Sequence, residues 1–219
     1  MNVFDIIGPV MVGPSSSHTA GAARIGRLAR EILGEDPVSA DIVLYGSFAD
    51  TGRGHGTDKA IAAGLMGYGP ESLQIRDALE LARQKGILFR FEFSAEDMGH
   101  PNVAEIRVTG TGGRKADIIG RSLGGGRVLI TSVDGFPVEL SGEEYTLFTR
   151  HRDVPGVVAR VCEILAEEHI NISTMRVFRK GKGEDAVMII HTDEKVPVSV
   201  AEELMKHENI AMAMTFDIV

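Results

Sequence analysis

Apolar residues recur at helical spacing behind a short polar turn near the start of the chain. Ile25, Leu28, Ala29 and Ile32 share one face, and Gly34 stands where a left-handed stop belongs. The spacing predicts a helix, with Gly13, Pro14 and Ser15, Ser16 and Ser17 as the turn that precedes it. Residues 39–45 read as a strand and deliver the chain into residues 46–58, where four glycines predict a loop without regular structure. Thr57 is placed to cap a helix over residues 58–67, with Ile61, Leu65 and Met66 as its stripe, and a further helix over 72–85 ends at Gly86. Four short apolar or alternating runs follow, at 87–93, 103–109, 115–120 and 127–133, separated by glycine-rich turns. Helices combined with an antiparallel sheet make this first domain, residues 1–140, α+β.

Residues 135–142 read as a linker, after which the pattern restarts in a compact order. It runs strand 143–150, helix 156–168, strands 172–179 and 186–192, helix 198–207 and strand 211–218. That is βαββαβ, the ferredoxin-like order, and it fills a second domain over residues 141–219.

The net charge of −8, without a run of basic residues, argues against nucleic acid and against an anionic membrane surface as partners. Residues 1–9 have neither a charged leader nor an apolar run long enough for a signal or a span, so the expectation is a cytoplasmic protein. A single cysteine, Cys162, leaves no internal disulfide and no self-sufficient thiolate metal site, and its place on a helix between Val161 and Ile164 suggests a small core residue. Any thiolate-held cofactor would need ligands from another chain.

Three loops carry histidines: Ser15-Ser16-Ser17-His18, the run from Gly52 through His55, Thr57 and Asp58, and Gly99-His100-Pro101-Asn102. Glycine permits close backbone approach to a ligand, and histidine exchanges protons near neutral pH. The start of the first helix offers unpaired amides that suit a small anion, although serines there serve equally as caps.

In the second domain, His151-Arg152-Asp153-Val154-Pro155-Gly156 and Asn171-Ile172-Ser173 resemble the ACT domain, a module that commonly binds amino acids at a paired interface. That resemblance implies an effector site near His151, Asp153, Gly156 and Asn171, and a homodimer formed through this domain. The whole chain resembles the beta chain of the iron-sulfur-dependent L-serine dehydratases. This implies an alpha chain as partner, a [4Fe-4S] cluster held by that alpha chain with no metal ligand in this one, and L-serine as substrate. His55, His18 and His100 would then be catalytic, with His55 the favoured base and Asp58 placed to orient it. Ser15, Ser16, Ser17, Thr57, Asp58 and Asn102 would bind substrate, the serines and helix amides holding its carboxylate. The first domain also resembles the substrate-sensing domain of some D-3-phosphoglycerate dehydrogenases, which implies the alternative of a regulatory module without catalysis. No dinucleotide-binding glycine fingerprint accompanies it.

Overall fold

The computed structural model describes residues 10–218, so the stretch from Met1 to Pro9, read above for a leader, lies outside the described residues. The chain divides into two compact units between Gly135 and Phe136.

In the first unit, a π-helical turn at Ser16–Gly21 runs directly into α1 (Ala22–Leu33), which stops at Gly34 with φ of 70°. The predicted stripe is buried on α1: Ile25, Leu28, Ala29 and Ile32 all lie in the core. β1 (Pro37–Gly46) leads into α2 (Ser47–His55) and α3 (Thr57–Leu65). The 46–58 segment is therefore helical where its glycine content predicted a loop. Phe48, fully buried on α2, anchors that helix in the core and accounts for part of the difference. Gly56, at φ of 70°, makes the break between α2 and α3. Thr57 does not cap α3: it is fully buried, and its hydroxyl has no hydrogen-bond partner.

α1 and α3 cross with backbones nearly touching. A Cβ on Gly26 would lie 2.3 Å from the Ile61 carbonyl, and one on Gly64 would lie 2.1 Å from that of Ala23. Only glycine fits at either position, and this close crossing fixes the first half of α1 against the second half of α3.

A 3₁₀ turn (Leu73–Asp77) and α4 (Ala78–Gln84) complete the crossover to β2 (Leu88–Ser94). Because helices fill that connection, β2 pairs with β1 in parallel rather than in the antiparallel sense expected from sequence. β3 (Asn102–Gly110), β4 (Lys115–Gly124) and β5 (Arg127–Val133) add antiparallel ladders. The segment read as a linker contains β6 (Phe136–Leu140), in which Phe136, Val138 and Leu140 are buried between exposed Pro137 and Glu139. Positive φ at Asp134 and Gly135 supplies the tight turn before it. β6 opens the second unit, and the strands of the first lie in the order β2-β1-β3-β4-β5.

The second unit follows the expected order: β7 (Tyr145–Arg152), α5 (Val157–Glu167), β8 (Ile172–Arg179), β9 (Asp185–Thr192), α6 (Val198–Leu204) and β10 (Ile210–Phe216). Its four strands lie in the order β10-β7-β9-β8, over a core that includes Leu147, Val161, Leu165, Met188, Ile190 and Leu204. Cys162 is half-buried on α5 and stands outside that core.

Candidate active site

Register explains why the three histidine loops meet. Gly46 at the end of β1 is opposite Asn102 at the start of β3, and Val103 is opposite Arg121 on β4. The end of β1, the start of β3 and the end of β4 therefore share one end of the sheet. α2, with His55, leaves that end from β1, and the His100 loop arrives there at β3. The Ser15–His18 turn is tied to the same end by Ser122 of β4, whose buried hydroxyl donates to the Ser17 carbonyl at 3.0 Å.

His18 is the hub. Its backbone amide donates to the Ser15 hydroxyl at 3.1 Å, so Ser15 does act as a cap. Its ring Nε2 lies 3.0 Å from Ser47 Oγ and 3.3 Å from the Ser47 carbonyl, and its Nδ1 lies 3.4 Å from Ser15 Oγ. A neutral ring with its hydrogen on Nε2 satisfies both neighbours, donating to Ser47 and accepting from the Ser15 hydroxyl. Burial lowers the His18 pKa below the ordinary 6.5; the hydrogen bond to Ser47 opposes this, and the neighbouring His55 adds to it. The edges of Phe48 and His55 meet the His18 ring at centroid distances of 5.3 and 5.1 Å. His55 itself is exposed, at the C-terminal end of α2, and its carbonyl accepts from the Thr19 hydroxyl at 3.3 Å. Beside His55 opens a cleft of about 300 Å³, bordered also by Val12, Gly13, Thr19 and Gly54.

His100 joins this cluster through the backbone. The Ser47 amide donates to the Pro101 carbonyl at 2.6 Å, with Gly46 at φ of 56° making room for that carbonyl. The His100 Nδ1 accepts from the Asn102 amide at 3.2 Å. Asn102 extends its Nδ2 toward the Ser122 carbonyl at 3.5 Å, and its buried Oδ1 has no partner.

Two expected roles are not reproduced. Asp58 accepts the backbone amide of Lys59 at 2.8 Å rather than orienting His55. Thr57, being fully buried, is out of reach of any solute in this conformation. Ser47 and Ser122, which knit the loops together, carried no sequence signal, because a lone serine beside a strand or within it has many ordinary explanations.

The residues marked in the second unit form two separate groups. His151 is buried, with its Nδ1 3.2 Å from Thr149 Oγ1, and burial lowers its pKa against an opposing pull from Asp153. The Asp153 carboxylate accepts from Arg179 at 2.9 Å and from the Gly183 amide at 3.3 Å; the Arg179 hydrogen bond holds its pKa below the usual range. Gly156, at φ of 99°, starts α5. Asn171 is at the other end of the sheet, since Arg152 pairs with Asp185 whereas Ile172 and Tyr145 both pair with Thr192. There its side chain donates to Asp193 at 2.6 Å and its amide to Glu194 at 2.8 Å. One copy of the chain does not bring Asn171 together with Asp153.

Comparison with known proteins matches residues 2–86 to the serine dehydratase beta chain family and residues 145–209 to the ACT domain. A probable L-serine dehydratase beta chain of Bacillus subtilis is 44% identical over 209 residues, covering 95% of this chain and 94% of the relative. The L-serine dehydratase beta chain of Peptoniphilus asaccharolyticus is 32% identical, covering 97% and 96%. A D-3-phosphoglycerate dehydrogenase of Synechocystis is 28% identical over 89% of this chain but only 35% of its own length. Identity that runs nearly end to end in two beta chains places the protein: it belongs to the L-serine dehydratase beta-chain family.

Proposed function

We propose that this chain is the beta subunit of a cytoplasmic, two-chain L-serine dehydratase, in which it supplies substrate-binding and proton-transfer groups while an alpha chain holds a [4Fe-4S] cluster. The observation that carries the reading is the His18–His55 pair: an exposed imidazole at a cleft, backed at 5.1 Å by a second ring whose pKa burial lowers.

The donor set of this chain does not fit the cluster. Its one cysteine is on α5 of the second unit, and among the described residues no three His, Cys, Asp or Glu side chains gather as a metal site. The thiolate ligands belong to the partner, and Lewis-acid activation of the serine hydroxyl is the chemistry such a cluster contributes.

In this chain, His55 takes the proton from the serine α carbon. Loss of the β-hydroxyl as water leaves 2-aminoacrylate, which tautomerises to the imine and hydrolyses to pyruvate and ammonia. Ser15 and Ser47 hold the His18 ring in place. Ser16, Ser17, His100 and Asn102 are the polar contacts available to the substrate's ammonium and hydroxyl groups. The ACT unit assembles a homodimer, which would bring Asn171 of one copy beside His151, Asp153 and Gly156 of the other as an amino-acid effector site.

Anaerobic co-expression with a cysteine-bearing alpha chain, followed by cluster absorbance and a serine-to-pyruvate assay, tests the reading. Turnover is expected only from the pair; turnover by the isolated, cluster-free chain would overturn it. The phosphoglycerate dehydrogenase match over most of the chain favours a second reading, a serine-responsive module without catalysis. That reading predicts serine binding with no turnover from any assembly.

A further inference from the structure

The cleft beside His55 differs in charge from the rest of the molecule. The protein carries a net charge of −8, and three other clefts of the first unit each include at least one carboxylate: Asp36 in one, Glu96 and Asp97 in another, Glu31, Glu35 and Asp36 in the third. Among the described residues, none that lines the His55 cleft is acidic. Its charged walls are Lys59, from the first turn of α3, and Arg76, from the 3₁₀ turn, with Ile75 as an apolar patch between.

Elsewhere the cations of this unit are mostly engaged. Arg27 pairs with Glu31, Arg30 with Asp36, Arg83 with Glu80, Arg90 with Asp41, and Arg107 with Glu105 and Asp117. No ion pair or side-chain hydrogen bond joins Lys59 or Arg76 to another described residue. Two cations from separate elements, facing one small cleft without counter-charges, raise the local concentration of anions there and repel cations. At about 300 Å³ the cleft is at the small end of ligand pockets, a size for a molecule of few heavy atoms.

We propose that Lys59 and Arg76 form the carboxylate anchor of this cleft and hold a small amino acid with its α carbon toward His55. Arg76 supplies a planar pair of donors that matches a carboxylate, and Lys59 adds a point charge from a separate element. The carboxylate thus lies with these cations, and of the serine loop Ser15 serves as the cap at His18. The anchor rests on the reading of His55 as the group that meets the substrate, but it makes its own prediction about binding, separate from turnover.

The test follows the histidine ring resonances of the full-length chain during titration with L-serine and with L-serinamide, in which the carboxylate is replaced by an uncharged amide. L-Serine should shift the His55 signal, and serinamide should not at the same concentrations. Arg76→Gln should weaken the serine response by about tenfold or more, the scale of a charge-assisted hydrogen bond, at an unchanged melting temperature, and Arg76→Lys should recover part of it. Lys59→Met should weaken it less. An equal response to serine and serinamide, a response unaltered in Arg76→Gln, or no His55 response in the parent chain would each overturn the anchor. A parent chain that shows the full pattern but yields no pyruvate when assembled with its partner would leave the anchor standing and defeat the dehydratase reading.

Discussion

The two units treat their polar groups in opposite ways. At the shared end of the first sheet, the Asn102 Oδ1 is unpartnered and two cations face the cleft without counter-ions, while His55 stands exposed. In the second unit the marked polar groups are engaged within the unit: Asp153 by Arg179 and Gly183 at one end of the sheet, and Asn171 by Asp193 at the other. Buried polar groups in folded proteins are nearly always satisfied, so the orphaned Asn102 Oδ1 stands out against the engaged groups of the second unit. On the reading proposed above, the first unit is the one that meets a small polar molecule.

If the first unit owes its site to rigid placement, damage to the α1–α3 crossing should reach it. Gly64→Ala forces a Cβ to within 2.1 Å of the Ala23 carbonyl, and we expect a loss of about 1–3 kcal/mol, read by urea unfolding. The cap at Ser15 gives a smaller effect: Ser15→Ala should cost about 0.5–2 kcal/mol and shift the His18 ring signals, because the same hydroxyl supports both the helix start and Nδ1.

Acidification probes both units at once. His18 and His151 each have a folded pKa lowered from 6.5 by burial, so the unfolded chain binds more protons in the interval below 6.5. Their contribution to stability is complete above that value and is lost as the pH falls toward their folded values. The melting temperature should therefore drop between pH 7.5 and 5.5. His151→Gln should flatten the part of that slope belonging to the second unit. The smallest effect is expected from Asp153→Asn: Arg179 is 57% exposed, and solvent screens the pair, so the melting temperature should hardly move. A large drop would mean that the loop at Asp153 is structurally essential.

Much of the architecture was legible because burial follows period. The α1 stripe and Gly34, the alternating strands β3 to β5, and the whole βαββαβ order declare themselves locally. α2 was hidden because four glycines around it lower helix propensity, and what anchors it is the burial of Phe48 in the core, which local sequence does not announce. β6 was hidden by Pro137, although Phe136, Val138 and Leu140 already alternate. The three histidine loops were legible as candidates, but their convergence depends on strand register and on contacts such as Ser122 to Ser17, 105 residues apart. Lys59 and Arg76 resembled any surface cations until the cleft between them was visible.

The most direct test of the central claim, that the first unit does its chemistry through His55, is serine turnover by the anaerobically assembled two-chain enzyme carrying His55→Ala. The account predicts a fall in turnover of roughly 10² to 10⁴, as for removal of a general base, with cluster content and melting temperature equal to those of the parent. Turnover near the parental rate, at equal cluster content, would contradict it.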